Sequence, residues 1–379
     1  MPRYVNEKQP VMVIVQLSGG NDFMNTVIPF TNEVYHDSRP TVSIQAEDVL
    51  SLNENLGWHP SMGSMKELYD QGNVAIVQGI GYENSSRSHF RAMDIMHTCT
   101  PESVGIEGWV AKAVRAIDPG KDNVLTCVNF GRGLPRAMAA PGVPVASVGD
   151  LESYGLFSGI SDMTQRTEAL DIFKEMYGQA LGTGPVMEYL SQTGLDVLQG
   201  ADRLKLAPEK YESNVEYADN PIAKSLRDAA RVHLAGLGTR ILYVSHGGYD
   251  VHANENPTQP KLLSELSRAI MDFFQDLRDH DAAHEVVMLV FTEFGRRIKD
   301  NGSGTDHGSG GGAFIIGEQV NGGLYAEYPS LAPDQWLNGE DMKHTIDFRG
   351  VYGTMLEQWM GLDSTDIVGG TFEQIDPFH

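Results

Sequence analysis

The sequence contains few cysteines, a shortage of positive charge and no long apolar run. Two cysteines among 379 residues are too few for a disulfide framework. No apolar run approaches the roughly 18–20 residues that cross a bilayer, so no membrane span is expected. Lys and Arg number 28 against 51 Asp and Glu, which gives a net charge of −23. This acidity argues against nucleic acid as a partner, because recognition of nucleic acid needs a basic face.

Two common catalytic motifs are also missing. The glycine-rich segment from Gly308 to Gly312 lacks the GxxxxGK(S/T) pattern of a phosphate-binding loop. No GxSxG nucleophile elbow occurs either. These absences disfavour a nucleotide kinase and a serine esterase of the α/β-hydrolase type. An anionic substrate would meet an acidic surface, so its site would need the charge of a bound metal ion.

Apolar, β-branched runs alternate with amphipathic segments along the chain. The runs predict strands at residues 11–17, 74–78, 124–128, 240–245, 285–291 and 313–317. The amphipathic segments predict helices at residues 60–71, 88–98, 108–117, 260–278 and 348–360. The 88–98 segment carries Phe90, Met93 and Met96 on one face. This alternation predicts an α/β fold with a largely parallel sheet.

A region whose apolar residues recur at helical intervals separates the early predicted strands from the later ones. We predict one domain over residues 1–379, with a helical cap or insertion at about 160–237. The first residues lack the apolar stretch of a secretory signal. The expected location is therefore the cytoplasm, or the periplasm if an export signal was removed. Assembly into a homo-oligomer is left open.

Polar side chains follow several of the predicted strands directly. They are Asp22, the loop at 85–89, the loop at 246–252 and Glu293. Because ligands of such sheets bind beyond the carboxyl ends of the strands, we expect these side chains to share one edge. The alternative is that polar residues simply populate loops.

Carboxylates and imidazoles at that edge predict one or two divalent metal ions, with zinc expected and calcium, magnesium or manganese left open. Asp250 and His252 share a face if the backbone is extended. Asp306 and His307 adjoin in a glycine-rich loop, either as a ligand pair or as part of a flexible surface loop. Asp22 is a further candidate ligand, or a turn residue after two glycines.

Ser88 is the candidate nucleophile, because a helix N-terminus can bind an anion through free backbone N–H groups. An ordinary helix cap is the alternative, and Ser85 and Ser86 compete for the catalytic role. Arg87 is either a ligand for a tetrahedral anion or a solvated arginine. His89 is either a metal ligand or a core histidine.

Six short motifs, in this order, resemble the bacterial family known as domain of unknown function 1501. They span about residues 10–362 and are Leu17-Ser18-Gly19-Gly20-Asn21-Asp22, Arg87-Ser88-His89-Phe90, Gly247-Gly248-Tyr249-Asp250-Val251-His252, Thr292-Glu293-Phe294-Gly295-Arg296, Gly304-Thr305-Asp306-His307-Gly308 and Asp347-Phe348-Arg349. That family is similar to the alkaline phosphatase and sulfatase superfamily. The resemblance implies an alkaline-phosphatase-like three-layer sandwich with helices on both faces and a metal site at the sheet edge.

The resemblance also implies roles for matching positions. Ser88 matches the helix-capping nucleophile, and the matching metal ligands are Asp22, Asp250, His252, Asp306 and His307. Glu293 occupies the strand end where the superfamily usually has an Asp-His pair, so Glu293 or Asp306 supplies that carboxylate. The late candidate for a final metal histidine is His344.

These observations predict a metal-dependent hydrolase of phosphate or sulfate esters with a serine nucleophile. Its partner would be a small anionic ester, with the choice between phosphate and sulfate left open. One alternative is a non-catalytic protein of the same fold that binds an anion or a partner, because the second metal site departs from the superfamily pattern. Another is a phosphotransferase or phosphomutase, which shares the serine chemistry.

Overall fold

A computed structural model of the chain describes residues 9–152, 162–178, 200, 203–204, 207–208 and 211–379. Within these ranges the strands are β1 (Val11–Ser18), β2 (Val27–Ile28), β3 (Leu50–Ser51), β4 (Gly57–Trp58), β5 (Val74–Gly81), β6 (Cys127–Phe130), β7 (Ala146–Val148), β8 (Ile241–Gly247), β9 (Val286–Thr292), β10 (Arg296–Asp300), β11 (Thr305–His307), β12 (Gly311–Ile316), β13 (Gly323–Tyr325) and β14 (Ile346–Asp347). The helices are α1 (Glu33–Ser38), α2 (Gly63–Asp70), α3 (His89–Thr98), α4 (Trp109–Ile117), α5 (Met163–Gly178), α6 (Pro221–Leu234), α7 (Glu255–Asp279), α8 (Phe348–Thr354) and α9 (Thr365–Val368).

The central sheet contains nine of the described strands. Their order is β13-β5-β12-β9-β1-β8-β6-β7, and β14 also pairs with β5. β12 is antiparallel to both of its neighbours, whereas the other pairings are parallel. β1 lies between β9 and β8, which explains why its sequence is apolar at almost every position. The prediction of an α/β fold with a largely parallel sheet is confirmed.

Helices cover both faces of this sheet. Val13 and Val15 of β1 point to a core that includes side chains of α2, α6 and α7. Met12 and Ile14, which alternate with them, point to a second core that includes side chains of α3, α4 and α8. The expected three layers are therefore present.

Several element ends differ from the prediction. α7 begins at Glu255, before the predicted start at Pro260, and Pro260 lies inside the helix. α8 passes into a π-helical turn, Met355–Trp359, in place of a regular helix to residue 360. The sequence pattern misses two small sheets, β10–β11 and β2–β4–β3. Strands of two to five residues carry almost no periodicity.

The predicted cap or insertion at 160–237 lies partly outside the described residues. α5 and α6 confirm helical structure at its two ends. α6 buries Leu226 and Ala229 in the same core as β1, so this end belongs to a layer of the sandwich. The cap itself stays a prediction. No helix in the described ranges is both long enough and apolar enough to cross a membrane.

The strands that precede the candidate residues end at one edge of the sheet. β1, β5, β8 and β9 run in the same direction, so the loops after Ser18, Gly81, Gly247 and Thr292 begin at their common carboxyl edge. Gly19 has a φ of +122°, and a Cβ there would lie 2.3 Å from the backbone nitrogen of Asp250. The close approach of the loops after β1 and β8 therefore requires glycine.

We expect Gly19→Ala to destabilise the fold by at least about 2 kcal/mol, because backbone strain and steric overlap with Asp250 add together. Gly236→Ala is the matched control. Gly236 also has a positive φ, +66°, but open space surrounds its Cβ position. It should lose only about 1 kcal/mol. Urea unfolding of both variants measures the difference, and equal losses would show that overlap with Asp250 contributes nothing.

Candidate metal centre

Asp250 lies at the centre of a cluster of imidazoles. Its Oδ1 is 3.0 Å from Nε2 of His307 and 3.2 Å from Nε2 of His252. Its Oδ2 is 3.3 Å from Nε2 of His89. One ligand atom each of His89, Asp250 and His307 lies within 4.8 Å of the other two. The structure thus brings together four of the side chains that the sequence marks as candidates, and His89 is one of them, with its side chain 31% exposed.

Each imidazole is oriented by an oxygen on its other nitrogen. A carbonyl or an ionised carboxylate can only accept a hydrogen bond, so Nδ1 of each ring carries the proton. Nε2 of each neutral ring is then an unprotonated lone pair. The three contacts are His307 Nδ1 to the Arg87 carbonyl at 2.8 Å, His252 Nδ1 to Asp306 Oδ1 at 2.8 Å, and His89 Nδ1 to Glu293 Oε1 at 2.9 Å.

The three Nε2 atoms converge on the carboxylate of Asp250. Nε2 of His252 and Nε2 of His307 are only 2.8 Å apart, so these two nitrogens share either a proton or a bound cation. Nε2 of His89 is buried and has no hydrogen-bond partner in the described part of the chain. Three imidazole nitrogens and one carboxylate oxygen fit a transition ion such as zinc. They fit calcium or magnesium poorly, because those ions take oxygen ligands.

The carboxylates of the cluster are held in their ionised form. Partial burial acts to raise the pKa of Asp250, but the hydrogen bond from Arg296 and the contact with the His307 imidazole outweigh it and hold that pKa well below its usual range. The hydrogen bond with His252 is the main cause that lowers the pKa of Asp306. Both side chains are therefore acceptors at neutral pH.

Arg296 is a fully buried cation that joins the segments of the site. Its guanidinium donates to the carbonyls of Gly20, Thr305 and Tyr249 at 2.7, 2.9 and 2.8 Å. It also donates to Oδ1 of Asp250 at 2.8 Å. The sequence prediction includes Arg296 only as part of a motif and misses this role. An arginine after a strand usually lies on the surface, so the sequence carries little signal for it.

His307 is carried by the β10–β11 hairpin, in which it pairs with Arg296. A Cβ on Gly304 would lie 2.1 Å from the carbonyl oxygen of Val251, so glycine lets this hairpin pack against the loop after β8. The Thr305 N–H donates to the same carbonyl at 3.1 Å. The glycine-rich segment is therefore a packed part of the site, and the alternative of a free surface loop does not describe it.

Glu293 and Asp306 each accept a hydrogen bond from a histidine in this arrangement. Glu293 is buried, and its Oε1 accepts from the Gly19 N–H as well as from His89, each at 2.9 Å. The hydroxyl of Thr292 donates to its other oxygen at 3.1 Å. Neither Glu293 nor Asp306 therefore faces the Nε2 atoms of the histidines. The carboxylate that faces them is Asp250.

Asp22 makes its contacts elsewhere. It is fully buried in an ion pair with Arg39, and its Oδ1 accepts from the Met24 N–H at 3.1 Å. Arg39 is itself held by the carbonyl of Ile298 at 2.9 Å. Burial, and then the nearby charge of Asp22, raise the pKa of Glu255. These contacts do not support the predicted role of Asp22 as a metal ligand, because Asp22 is not among the groups whose ligand atoms converge in the described part of the chain.

The guanidinium of Arg87 faces Asp341, a buried carboxylate, at 2.7 and 3.0 Å. This differs from the predicted contact with a tetrahedral anion. The structure gives its backbone carbonyl a different role, the orientation of His307. His344 lies outside the cluster of Asp250, so a final metal histidine at that position is not supported.

The three candidate nucleophiles of the serine-rich loop differ in the hydrogen bonds that their hydroxyls make. Ser85 donates to the hydroxyl of Ser309 at 2.5 Å. The Ser86 oxygen accepts from the Ser88 N–H at 3.2 Å. Ser88 is exposed at the N-terminus of α3, and its side chain makes no capping hydrogen bond. Its hydroxyl is therefore the one left free for a ligand.

A cavity of about 900 Å³ opens beside the cluster. One part of its wall consists of Ser88, His89, Asp250 and Glu293, which places the free hydroxyl and two members of the Asp250 cluster on one concave surface. The remaining lining residues are Ser18, Gly19, Phe90, Arg91, Met93, Asp94, His97, Val104 and Arg136.

One protein family matches this chain by its sequence model. It is described as Protein of unknown function (DUF1501), and the match covers residues 167–371, more than half of the chain. The chain belongs to this family. The assignment confirms the prediction from the ordered motifs, and the matched DUF1501 region contains Asp250, His252, Glu293, Asp306 and His307. No curated protein matches the chain.

Three solved structures resemble this DUF1501 chain at low identity. A protein in the alkaline phosphatase superfamily from Vibrio parahaemolyticus has 11% identity and a TM-score of 0.44, over 100% of this chain and 72% of its own. A sulfatase from Pseudoalteromonas sp. has 10% identity and a TM-score of 0.38, over 97% of this chain and 71% of its own. The lipoteichoic acid synthase LtaP from Listeria monocytogenes has 9% identity and a TM-score of 0.39, over 95% of this chain and 76% of its own. These scores show nothing about activity.

The buried pair of Glu255 and Asp22 makes stability depend on pH. Burial and the neighbouring charge of Asp22 raise the pKa of Glu255 from 4.5 to about 8. The folded protein then keeps a proton that the unfolded chain releases. We therefore expect the free energy of unfolding to fall as the pH rises from about 4.5 to about 8.

Glu255→Gln should flatten this part of the pH profile, because an amide of similar size stays neutral at every pH. Urea unfolding at several pH values compares the two proteins. Parallel profiles for wild type and Glu255→Gln would contradict the predicted protonation of Glu255.

Proposed function

We propose that the cluster binds one zinc-like transition ion and that the protein hydrolyses phosphate or sulfate esters with Ser88 as its nucleophile. The observation that carries the proposal is the convergence of three imidazole Nε2 atoms on the Asp250 carboxylate, beside the free hydroxyl of Ser88. His89, Asp250, His252 and His307 would hold the ion. When bound, it would supply positive charge that polarises an ester oxygen.

One ion, not two, accounts for the ligands. Glu293 and Asp306 are already used as acceptors for His89 and His252. Such outer carboxylates fix the tautomer and orientation of a ligating histidine. The pattern therefore favours a single metal site with two orienting carboxylates.

Ser88 is placed for nucleophilic attack on an anionic ester. It stands before the first turn of α3, whose early backbone N–H groups have no partner within the helix and favour negative charge. The serine oxygen would form a bond to phosphorus or sulfur while the ester oxygen leaves as an alcohol, which takes up the serine proton. Water would then cleave the serine ester, which releases phosphate or sulfate and restores the hydroxyl.

We expect the purified protein, stripped with chelator, to bind one equivalent of Zn²⁺ in calorimetry. His307→Ala should weaken that affinity by more than about 100-fold, because it removes a ligand. Asp306→Ala should weaken it by about 10- to 100-fold, because it removes only the acceptor that orients His252. Zn²⁺ at 100 times its Kd should stabilise the wild-type protein by about 2.7 kcal/mol.

His36→Gln is the control for histidine loss, since His36 contacts only the Phe30 carbonyl among its described hydrogen bonds. Its Zn²⁺ affinity should equal that of the wild type. Absence of Zn²⁺ binding by the wild-type protein, or equal affinities for wild type and His307→Ala, would refute the proposed metal site.

Ser88→Ala should lower turnover of aryl phosphate or aryl sulfate esters by at least about 1,000-fold, with Zn²⁺ affinity unchanged. Ser86→Ala is the matched control, because its hydroxyl lies in the same loop and is occupied by the Ser88 N–H. It should keep most of the activity. Turnover that is equal in Ser88→Ala and wild type would remove Ser88 from the chemistry, and a zinc-loaded protein that turns over no ester would refute the hydrolase proposal.

A further inference from the structure

The cavity beside the metal cluster has an apolar side that the proposed chemistry does not use. Helix α3 presents His89 to the cluster and, from its next positions, Phe90 and Met93 to the cavity. Val104 lines the cavity from the loop that follows α3. Phe90 is 91% exposed and Val104 is 70% exposed, although Phe90 and Met96 share the helix that packs on the core. Large apolar side chains left this open beside a cavity are typical of ligand contacts.

The charged groups on this side are already paired with each other. Arg91 contacts Asp94 at 2.5 Å and donates to the carbonyls of Thr100 and Pro101 at 3.1 and 2.6 Å. Arg136 contacts the other oxygen of the same Asp94 at 2.8 Å. A ligand with many hydroxyls would therefore meet few free partners here, and each buried hydroxyl without a partner costs about 1–3 kcal/mol.

The order of residues along α3 suits a single amphiphilic ligand. Phe90 and Met93 are three residues apart on α3, so they lie on one face about one helical turn in length. The ester end of a ligand at Ser88 and His89 is therefore followed at once by apolar side chains.

We propose, on the basis of the proposed ester hydrolysis, that the substrate is the ester of a hydrophobic alcohol, with an alkyl chain or aryl group in place of a sugar. The anionic group lies at Ser88 and the metal cluster. The apolar group lies against Phe90, Met93 and Val104.

Binding of alkylphosphonates to the zinc-loaded protein tests this without any need for turnover. Methyl-, butyl-, hexyl- and octylphosphonate are titrated as monomers in calorimetry. We expect the Kd to fall by up to about fourfold for each added methylene group until the wall is covered. A Kd that is the same for methyl- and octylphosphonate, or no binding of either, overturns the inference.

Phe90→Ser and Ile106→Ser form a matched pair, because both side chains are highly exposed, at 91% and 85%, and only Phe90 lines the cavity. Phe90→Ser should remove at least half of the gain in affinity with chain length and leave the Kd of methylphosphonate unchanged. Ile106→Ser should retain the full gain. The same gain in Phe90→Ser as in wild type overturns the assignment of this wall.

The failure of this inference and that of the hydrolase proposal give different results. Binding of octylphosphonate with no turnover of any ester supports the apolar wall and refutes hydrolysis. Turnover of esters with no preference for chain length supports hydrolysis and refutes the wall.

A free ester and a lipid headgroup share this chemistry, and vesicles of phosphatidylcholine with phosphatidic acid distinguish them. Sedimentation of the protein with the vesicles, reversed by octylphosphonate, supports a lipid ester. Octylphosphonate binding without sedimentation supports a free ester.

Discussion

The buried guanidinium of Arg296 is the contact on which the arrangement of the site depends. It binds carbonyl oxygens of the loop after β1, the loop after β8 and the β10–β11 hairpin, together with the Asp250 carboxylate. These segments are far apart in sequence and meet only at the sheet edge. A buried charge without such partners would be costly, so the cation and the oxygens around it stabilise one geometry together.

The cluster around Asp250 is built from two sets of groups that depend on one another. The Arg87 carbonyl, Glu293 and Asp306 each accept a hydrogen bond from the Nδ1 of a histidine, and this turns the three Nε2 atoms toward Asp250. The arrangement brings three imidazoles and a carboxylate together in a chain whose net charge is −23. Under the proposed function, the charge of a bound cation would offset the repulsion between that acidity and an anionic ester.

Predictions from the sequence are most reliable where the signal is local. The apolar runs of β1, β5, β8 and β9 identify central strands, and their shared direction places Ser88, Asp250 and Glu293 at one edge. Short strands such as β11 leave almost no periodic signal, so the position of His307 opposite Arg296 is not predictable from the sequence. Phe90 shows the same limit, because helical spacing groups it with Met96 although only Met96 is buried.

The sequence by itself determines the α/β class, the family and the set of polar residues at the strand ends, because periodicity and ordered motifs are properties of the linear chain. Only the tertiary structure decides which of those residues face one another. Asp22 and Asp250 each follow a central strand, yet Asp22 is neutralised by Arg39 while Asp250 receives three imidazoles. The difference arises from contacts between segments that are distant in sequence, and no local pattern records those contacts.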